Sequence, residues 1–173
     1  CEIRPYAVTI TPFDLVVTPT GLRFRGRQYP CTIGRGGIQA RKREGDGATP
    51  RGFHRIVGML YRPDRMAKPT DWAAPIRPGD LWSDDPHDIA YNRMVRAPYP
   101  HSHEALRRAD PLYDLVVLTD WNWPYAVPGR GSAIFIHQWR RPGYPTEGCI
   151  ALKRRDLHRI APMIRHRTRL IVP

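Results

Sequence analysis

Short apolar, β-branched runs separated by proline and glycine dominate the first third of the chain. Residues 7–10 and 15–18 alternate or cluster β-branched side chains, with Pro12, Pro19 and Gly21 as punctuation, and residues 22–25 and 29–33 continue the pattern across a turn at Gly26. Runs of this length bounded by turn residues predict short antiparallel strands. Residues 34–37 read as a loop, and 45–52 as a surface loop with turn chemistry and no core. Strand character resumes over 54–61. Between Pro63 and Pro111 no period is sustained, and only residues 104–108 suggest a helical turn or two. Residues 113–119 and 132–139 are apolar runs of strand length that should cross the core. Residues 153–167 place Leu157, Ile160, Ala161 and Ile164 at helical spacing with basic residues on the other face, and 168–172 closes as a strand. The expectation is a mainly β fold (β-rich α+β) with one C-terminal helix, in a single domain spanning residues 1–173 and without internal repeats.

The 173 residues are enough to bury a core without staples. No window approaches the uninterrupted apolar length of a membrane-spanning helix. The balance of 28 Lys and Arg against 16 Asp and Glu, a formal charge of +12, suits polyanions such as nucleic acid, anionic lipid or the cell wall. No nucleic-acid-binding motif accompanies the charge, which is spread rather than clustered, so no nucleic-acid partner is expected and a basic wall-binding module is the non-enzymatic alternative. Cysteines at 1, 31 and 149 match no zinc spacing, and their odd number leaves at least one thiol over. Cys31 reads as a buried apolar residue that could bridge to Cys1 in an oxidising compartment. A lipid-modified Cys1 is the lesser reading, because residues 3–10 look like a strand rather than a polar linker.

Two places carry candidate chemistry. His101-Ser102-His103, with His87 or Asp88, could supply metal ligands, although His-x-His amid Pro98 and Pro100 is more often loop decoration; no metal and no cofactor are expected. The second is His137 at the end of an apolar strand, followed twelve residues later by Cys149 in Thr146-Glu147-Gly148-Cys149. A thiol needs ionisation to be a good nucleophile, and a nearby imidazole can take its proton and later protonate a leaving amine. Gly148 allows a sharp turn that brings a backbone amide close to a substrate oxygen. From spacing alone, the blander reading carries more weight: a small buried Cys beside Ile150 and Leu152, and a polar strand end.

The wider pattern shifts that balance. Ile134-Phe135-Ile136-His137 followed by Thr146-Glu147-Gly148-Cys149-Ile150-Ala151-Leu152 resembles the signature of the YkuD L,D-transpeptidase family: a His at a strand end, a loop, a Ser/Thr-x-Gly-Cys turn and a helix. Thr49-Pro50-Arg51-Gly52 resembles the family's Thr-Pro-x-Gly loop. Trp82-Ser83-Asp84-Asp85-Pro86, Tyr91-Asn92, Tyr113-Asp114 and Gly129-Arg130-Gly131-Ser132-Ala133 resemble a branch of short, single-domain members. The resemblance implies a mixed sheet cradling the site, and a reaction in which a thiolate displaces the terminal residue of a peptidoglycan stem and an amine on a neighbouring stem resolves the thioester. It assigns Cys149 as nucleophile, His137 as general base and acid, Gly148 with the Cys149 amide as oxyanion donors, and Thr146 as the group that orients the turn.

Where the family often carries His before the Gly-Cys pair and Arg two residues after the Cys, this chain has Glu147 and Ala151, and Gln138 follows His137. Arg140, Arg141 or Arg155 are the candidates to hold the stem carboxylate instead. Glu147, Tyr144, Trp139 and Trp123 complete the expected substrate-binding set, the aromatic and proline-rich stretches 121–125 and 139–145 forming a stiff rim. The partners implied are donor and acceptor stem peptides, the protein acting as a monomer in the periplasm or cell envelope after export, with carbapenem-type covalent inhibition. The alternative is an L,D-carboxypeptidase or peptidoglycan hydrolase using the same Cys and His, with water resolving the thioester.

Overall fold

The computed structural model describes residues 9–173. β1 (Leu15–Thr18), β2 (Gly21–Phe24) and β3 (Arg27–Tyr29) form a meander. Its second turn has positive φ at both Arg25 (49°) and Gly26 (75°), the twist that matches two right-handed strands in a two-residue hairpin. The sheet continues through β15 (Arg169–Val172), β7 (Gly52–Tyr61), β12 (Leu115–Thr119), β13 (Phe135–Gln138), β14 (Ile150–Leu152) and β4 (Cys31–Thr32), in the order β3-β2-β1-β15-β7-β12-β13-β14-β4. It is mixed, with β1 parallel to β15 and β13 parallel to β14. Pro30 alone separates β3 from β4, the two ends of that order. The sheet therefore curls until its edges nearly meet, and the missing N–H of Pro30 stops a ladder from running through the junction.

The curl encloses one core. Leu15, Val17, Leu22, Phe24, Ile56, Leu115, Val117, Ile136, Ile150 and Leu170 point into it, capped by Leu157 and Ile160 of α1 (Arg154–Ile160). Alternate residues of the same strands face the other way. Val116 and Phe135 join Leu60, Ile76, Trp82, Leu106 and Tyr113 in a second cluster against which Cys149 packs. This second cluster exists because the 63–111 segment covers the outer face of β12 and β13. Where the sequence shows no period, the chain forms β8 (Ala74–Pro75) beside β7 and a three-stranded sheet of β9 (Asp80–Ser83) between β10 (Met94–Arg96) and β11 (His103–Ala105).

Several expectations need correction. Residues 104–108 are not a helical turn: Glu104 pairs with Trp82 and Ala105 with Leu81 in β11. The 153–167 helix ends at Ile160 and tightens into a 3₁₀ turn, Ala161–Met163, because Pro162 has no N–H to offer the His158 carbonyl. The 45–52 loop is no exposed connector. Ala48, Thr49 and Pro50 are buried, and β6 (Thr49–Pro50) pairs with β5 (Ile38–Gln39). A short strand, β14, which the sequence reading did not foresee, lies between Cys149 and α1. The 132–139 strand begins only at Phe135, since Ala133 has φ 54°. Ala7 and Val8 of the first expected strand, and Cys1 of the bridge to Cys31, lie outside the described residues; Thr9 and Ile10 are in no strand.

Candidate active site

Register and parity bring His137 and Cys149 together. In the parallel ladder Ile136 opposes Ile150 and His137 opposes Ala151, and both isoleucines point into the enclosed core. Phe135 and His137 therefore face the second cluster, as does Cys149, one step before Ile150. A rise of roughly 3.3 Å per residue and a strand spacing of roughly 4.8 Å put the His137 and Cys149 Cα atoms about 8 Å apart. That separation lets an imidazole and a thiol converge on one substrate carbonyl.

The thiol is at rest. Cys149 Sγ donates to the Ala133 carbonyl at 3.0 Å and receives the Phe135 N–H at 3.4 Å. Burial, reinforced by the Glu104 carboxylate and opposed by the Phe135 amide and Lys42, pushes it up to about 12. His137 is buried, and its Nδ1 lies 2.6 Å from the Gln138 carbonyl. A carbonyl only accepts, so Nδ1 carries the proton and Nε2 keeps its lone pair. Burial lowers the His137 pKa to about 4 against the pull of that carbonyl, with Arg108 and Arg140 adding to the fall. The pair is thus a neutral thiol and a neutral imidazole, a nucleophile to be made by proton transfer during attack rather than a standing ion pair.

Those shifts predict an acid limb of stability. A histidine whose folded pKa is depressed contributes stability that is complete above about 6.5 and drains away as pH falls toward the folded value, here about 4. For His137 the full loss is about 3 kcal/mol. His54 and His158, also lowered by burial, act in the same direction. Denaturant midpoints measured at pH 7.5 and 4.5 should fall steeply in the wild type and less in His137→Gln; parallel slopes in the two proteins would refute the assignment.

The turn before Cys149 is built from backbone approaches that only glycine permits. Gly148 has φ +139°, and a Cβ there would sit 2.8 Å from the Ala48 carbonyl oxygen. Its N–H donates to Thr146 Oγ1 at 3.1 Å, and the Thr146 hydroxyl donates to the Cys149 carbonyl at 2.5 Å. The Gly148 N–H, expected as an oxyanion donor, is therefore engaged inside the turn. The Cys149 N–H has no acceptor among the described residues and is the donor left for a substrate oxygen.

Thr49 locks this turn from beneath: its hydroxyl donates to the Gly148 carbonyl at 2.8 Å and accepts the Gly34 N–H at 2.9 Å. Thr49→Val keeps the shape, strands both partners, and should cost about 1–3 kcal/mol. Urea unfolding would measure that loss, and turnover should fall further than in Ile56→Val, a core change of similar energetic size.

Asn92 holds the other side. Its Oδ1 accepts the Ala133 N–H at 3.0 Å and the Trp82 indole N–H at 2.9 Å, while its Nδ2 donates to the Trp121 and Asn122 carbonyls. The carbonyl on which the thiol rests is thus fixed by the Tyr91-Asn92 motif. Tyr91 in turn donates to Glu44 at 2.5 Å and accepts the Gly131 N–H at 2.9 Å.

Cys149 and His137 open into a cleft of about 640 Å³. Thr146, Glu147, Tyr144, Trp139 and Arg140 line it, as do Glu44, Asp84, Glu104, Arg108 and Tyr113. Arg141 does not line the cleft but stacks 4.7 Å over the Tyr144 ring. Trp123, 37% exposed, and Arg155, exposed on α1, also lie off the cleft. Glu147 pairs with Arg35 at 2.7 Å in solvent. The rim expected from both aromatic stretches comes from 139–145 alone, because Trp121 turns away to meet the His54 ring at 5.8 Å. Reasoning from sequence missed Glu104 in the cleft, and it flagged Tyr113 in the cleft and Asn92 and Thr49 beneath it only as parts of family-like motifs, without a role. His103 bonds the His101 carbonyl, and His101 faces Asp85 at 3.6 Å; among the described residues no three side chains converge on a metal position.

A mainly β fold whose mixed sheet carries a Cys and a His on one face, beside a glycine-built turn with a free amide, defines a class of site before any comparison is made. Residues 15–172 match the YkuD family, the L,D-transpeptidase catalytic domain, and the chain belongs to that family, which acts on peptidoglycan. Among solved structures, the helical cell shape determining protein Pgp2 of Campylobacter jejuni, in a point-mutant form, is similar at 17% identity with a TM-score of 0.43. The match covers 91% of this chain and 45% of that one, so the chain spans less than half of that protein's length. No curated protein matches the sequence. Among the described residues no helix is long and apolar enough to cross a membrane.

Proposed function

We propose that the protein is an L,D-transpeptidase that cross-links peptidoglycan stem peptides through a Cys149 thioester. The observation that carries this reading is the juxtaposition on one sheet face of a thiol, an imidazole with its Nε2 lone pair free, and the unengaged Cys149 N–H. His137 Nε2 takes the thiol proton as sulfur attacks the donor carbonyl, and the Cys149 amide receives the developing oxyanion. The C–N bond breaks, and the terminal amino acid leaves with the proton His137 returns. An amine of a neighbouring stem then attacks the thioester, the new amide forms, and the thiol is regenerated. Of the three arginines proposed for the stem carboxylate, only Arg140 lines the cleft, which supports it as the anchor. Export to the envelope and attraction of the +12 chain to anionic wall polymers accord with this substrate.

The test is incubation with isolated peptidoglycan fragments, followed by liquid chromatography and tandem mass spectrometry. Cross-linked dimers are expected, with fragment ions reporting the residues joined. Shortened monomers without dimers would identify an L,D-carboxypeptidase instead, and unchanged fragments would remove both readings.

A further inference from the structure

Glu104 is a carboxyl that the first half of this reaction has no use for. It is delivered to the cleft by β11, opposite Trp82 of β9, and Trp82 packs edge-on at 5.0 Å against Phe135 on the sheet face that carries the thiol. One carboxylate oxygen accepts the Tyr113 hydroxyl at 2.5 Å, and the Tyr113 ring meets the His137 ring edge-on at 5.4 Å. Glu104 forms no ion pair among the described residues: the nearby Arg108 guanidinium is taken by both oxygens of Asp110, at 2.9 and 2.6 Å. Burial holds its pKa above the ordinary carboxylate value, and its negative charge works against ionisation of Cys149. A group that hinders thiolate formation, lacks a cation and lines the same cleft as both reacting side chains fits a cation that arrives with the substrate.

We propose that Glu104, held by the Tyr113 phenol, is the seat for the ammonium group of the acceptor strand and so decides whether an amine or water resolves the thioester. This rests on the transpeptidase reading above. An alkylammonium docks on the carboxylate and gives it one proton, becoming a free amine. The nitrogen attacks the thioester carbonyl, forming the C–N bond, and passes its second proton to His137 Nε2. The C–S bond breaks, His137 returns that proton to sulfur, and Glu104 releases its own to solvent. The products are the amide, a neutral thiol and one proton. The carboxylate thereby supplies the charge selectivity that a neutral imidazole lacks.

The experiment uses the whole chain, a stem tetrapeptide as donor, and three nucleophiles: a stem acceptor, ethylamine, which is cationic at neutral pH, and hydroxylamine, which is not. Thioester is read by intact mass after acid quench, terminal amino acid release by chromatography, and captured product by mass spectrometry. Glu104→Gln, which lifts the charge that opposes Cys149 ionisation, should form the thioester at least as fast as the wild type and be captured normally by hydroxylamine, while amide formation from ethylamine and the stem acceptor falls about tenfold or more. Glu104→Asp, which keeps the charge but retracts it, should show a smaller selective loss and carries the same test if the Gln variant does not fold. Equal losses for ethylamine and hydroxylamine, or slowed thioester formation, would overturn the assignment. If the wild type itself forms no thioester, the transpeptidase reading falls and this one with it.

Discussion

Cys149→Ala should lower stem-peptide turnover by about 10⁴-fold or more while leaving the protein folded. The size follows from the mechanism: without sulfur there is no covalent intermediate, and groups acting as a unit lose nearly everything when one is removed. Folding should survive because the truncation removes little. The lost interactions are the 3.0 Å bond to the Ala133 carbonyl and the 3.4 Å bond from the Phe135 amide, with some packing against the second cluster, about 1–2 kcal/mol in all. Cys149→Ser sharpens the test. A hydroxyl can keep the bond to Ala133, so its stability should lie closer to the wild type, yet a buried alcohol beside a neutral imidazole is a far poorer nucleophile and turnover should be equally lost. Mass spectrometry of products and thermal unfolding of both variants check these outcomes; a Ser variant that retained appreciable turnover would remove sulfur from the mechanism. The thiol held up to about 12 adds an expectation for the free protein: alkylation of Cys149 should be slow at neutral pH and accelerate only toward alkaline pH, unlike a thiolate–imidazolium pair.

Local pattern revealed what depends on local pattern. The β-branched runs at 15–18 and 113–119, the turn at Gly26 and the apolar spacing of Leu157 and Ile160 are each decided within a few residues, and each lies where expected, allowing for frayed ends. His137 and Cys149 stand out because the residues around them resemble the family signature; spacing alone favours a buried Cys and a polar strand end, and the β13–β14 ladder that sets both on one face is not a local feature. What stayed hidden is set by long-range pairing. Glu104 sits in a segment whose local residues suggest a turn of helix, and only the ladder with Trp82 extends it and brings it to the cleft that Cys149 lines. Thr49 looks like part of a solvated turn, and its burial depends on the Gly148 carbonyl ninety-nine residues away in sequence. Asn92 carries no periodic signal, since its work is to bond backbone groups at 121, 122 and 133.

Gly148→Ala should be the most damaging single methyl addition in the turn that precedes Cys149, and Gly143→Ala is its control. Both glycines have positive φ: at Gly143 (75°) a side chain incurs left-handed backbone strain of about 1–2 kcal/mol, and at Gly148 (139°), farther from the region side chains tolerate, at least as much. Around Gly143 nothing lies within 4 Å of the added methyl, so strain is the whole effect there. At Gly148 the methyl also meets the Ala48 carbonyl oxygen at 2.8 Å and Ile134 Cδ1 at 3.1 Å. Ile134 can yield, but the Ala48 carbonyl belongs to backbone pinned by Thr49, and relieving an overpacked contact adds about 1–3 kcal/mol. Urea unfolding should therefore show a loss of about 2–5 kcal/mol for Gly148→Ala, clearly larger than for Gly143→Ala. Turnover should fall in the molecules that remain folded, because the Gly148 peptide is held at its N–H by Thr146 and at its carbonyl by Thr49. Moving it away from Ala48 rotates the next peptide, the one whose N–H is proposed to receive the oxyanion. Equal destabilisation in the two variants would mean that the approach to Ala48 is loose and that the Cys149 amide is not set by this interlock.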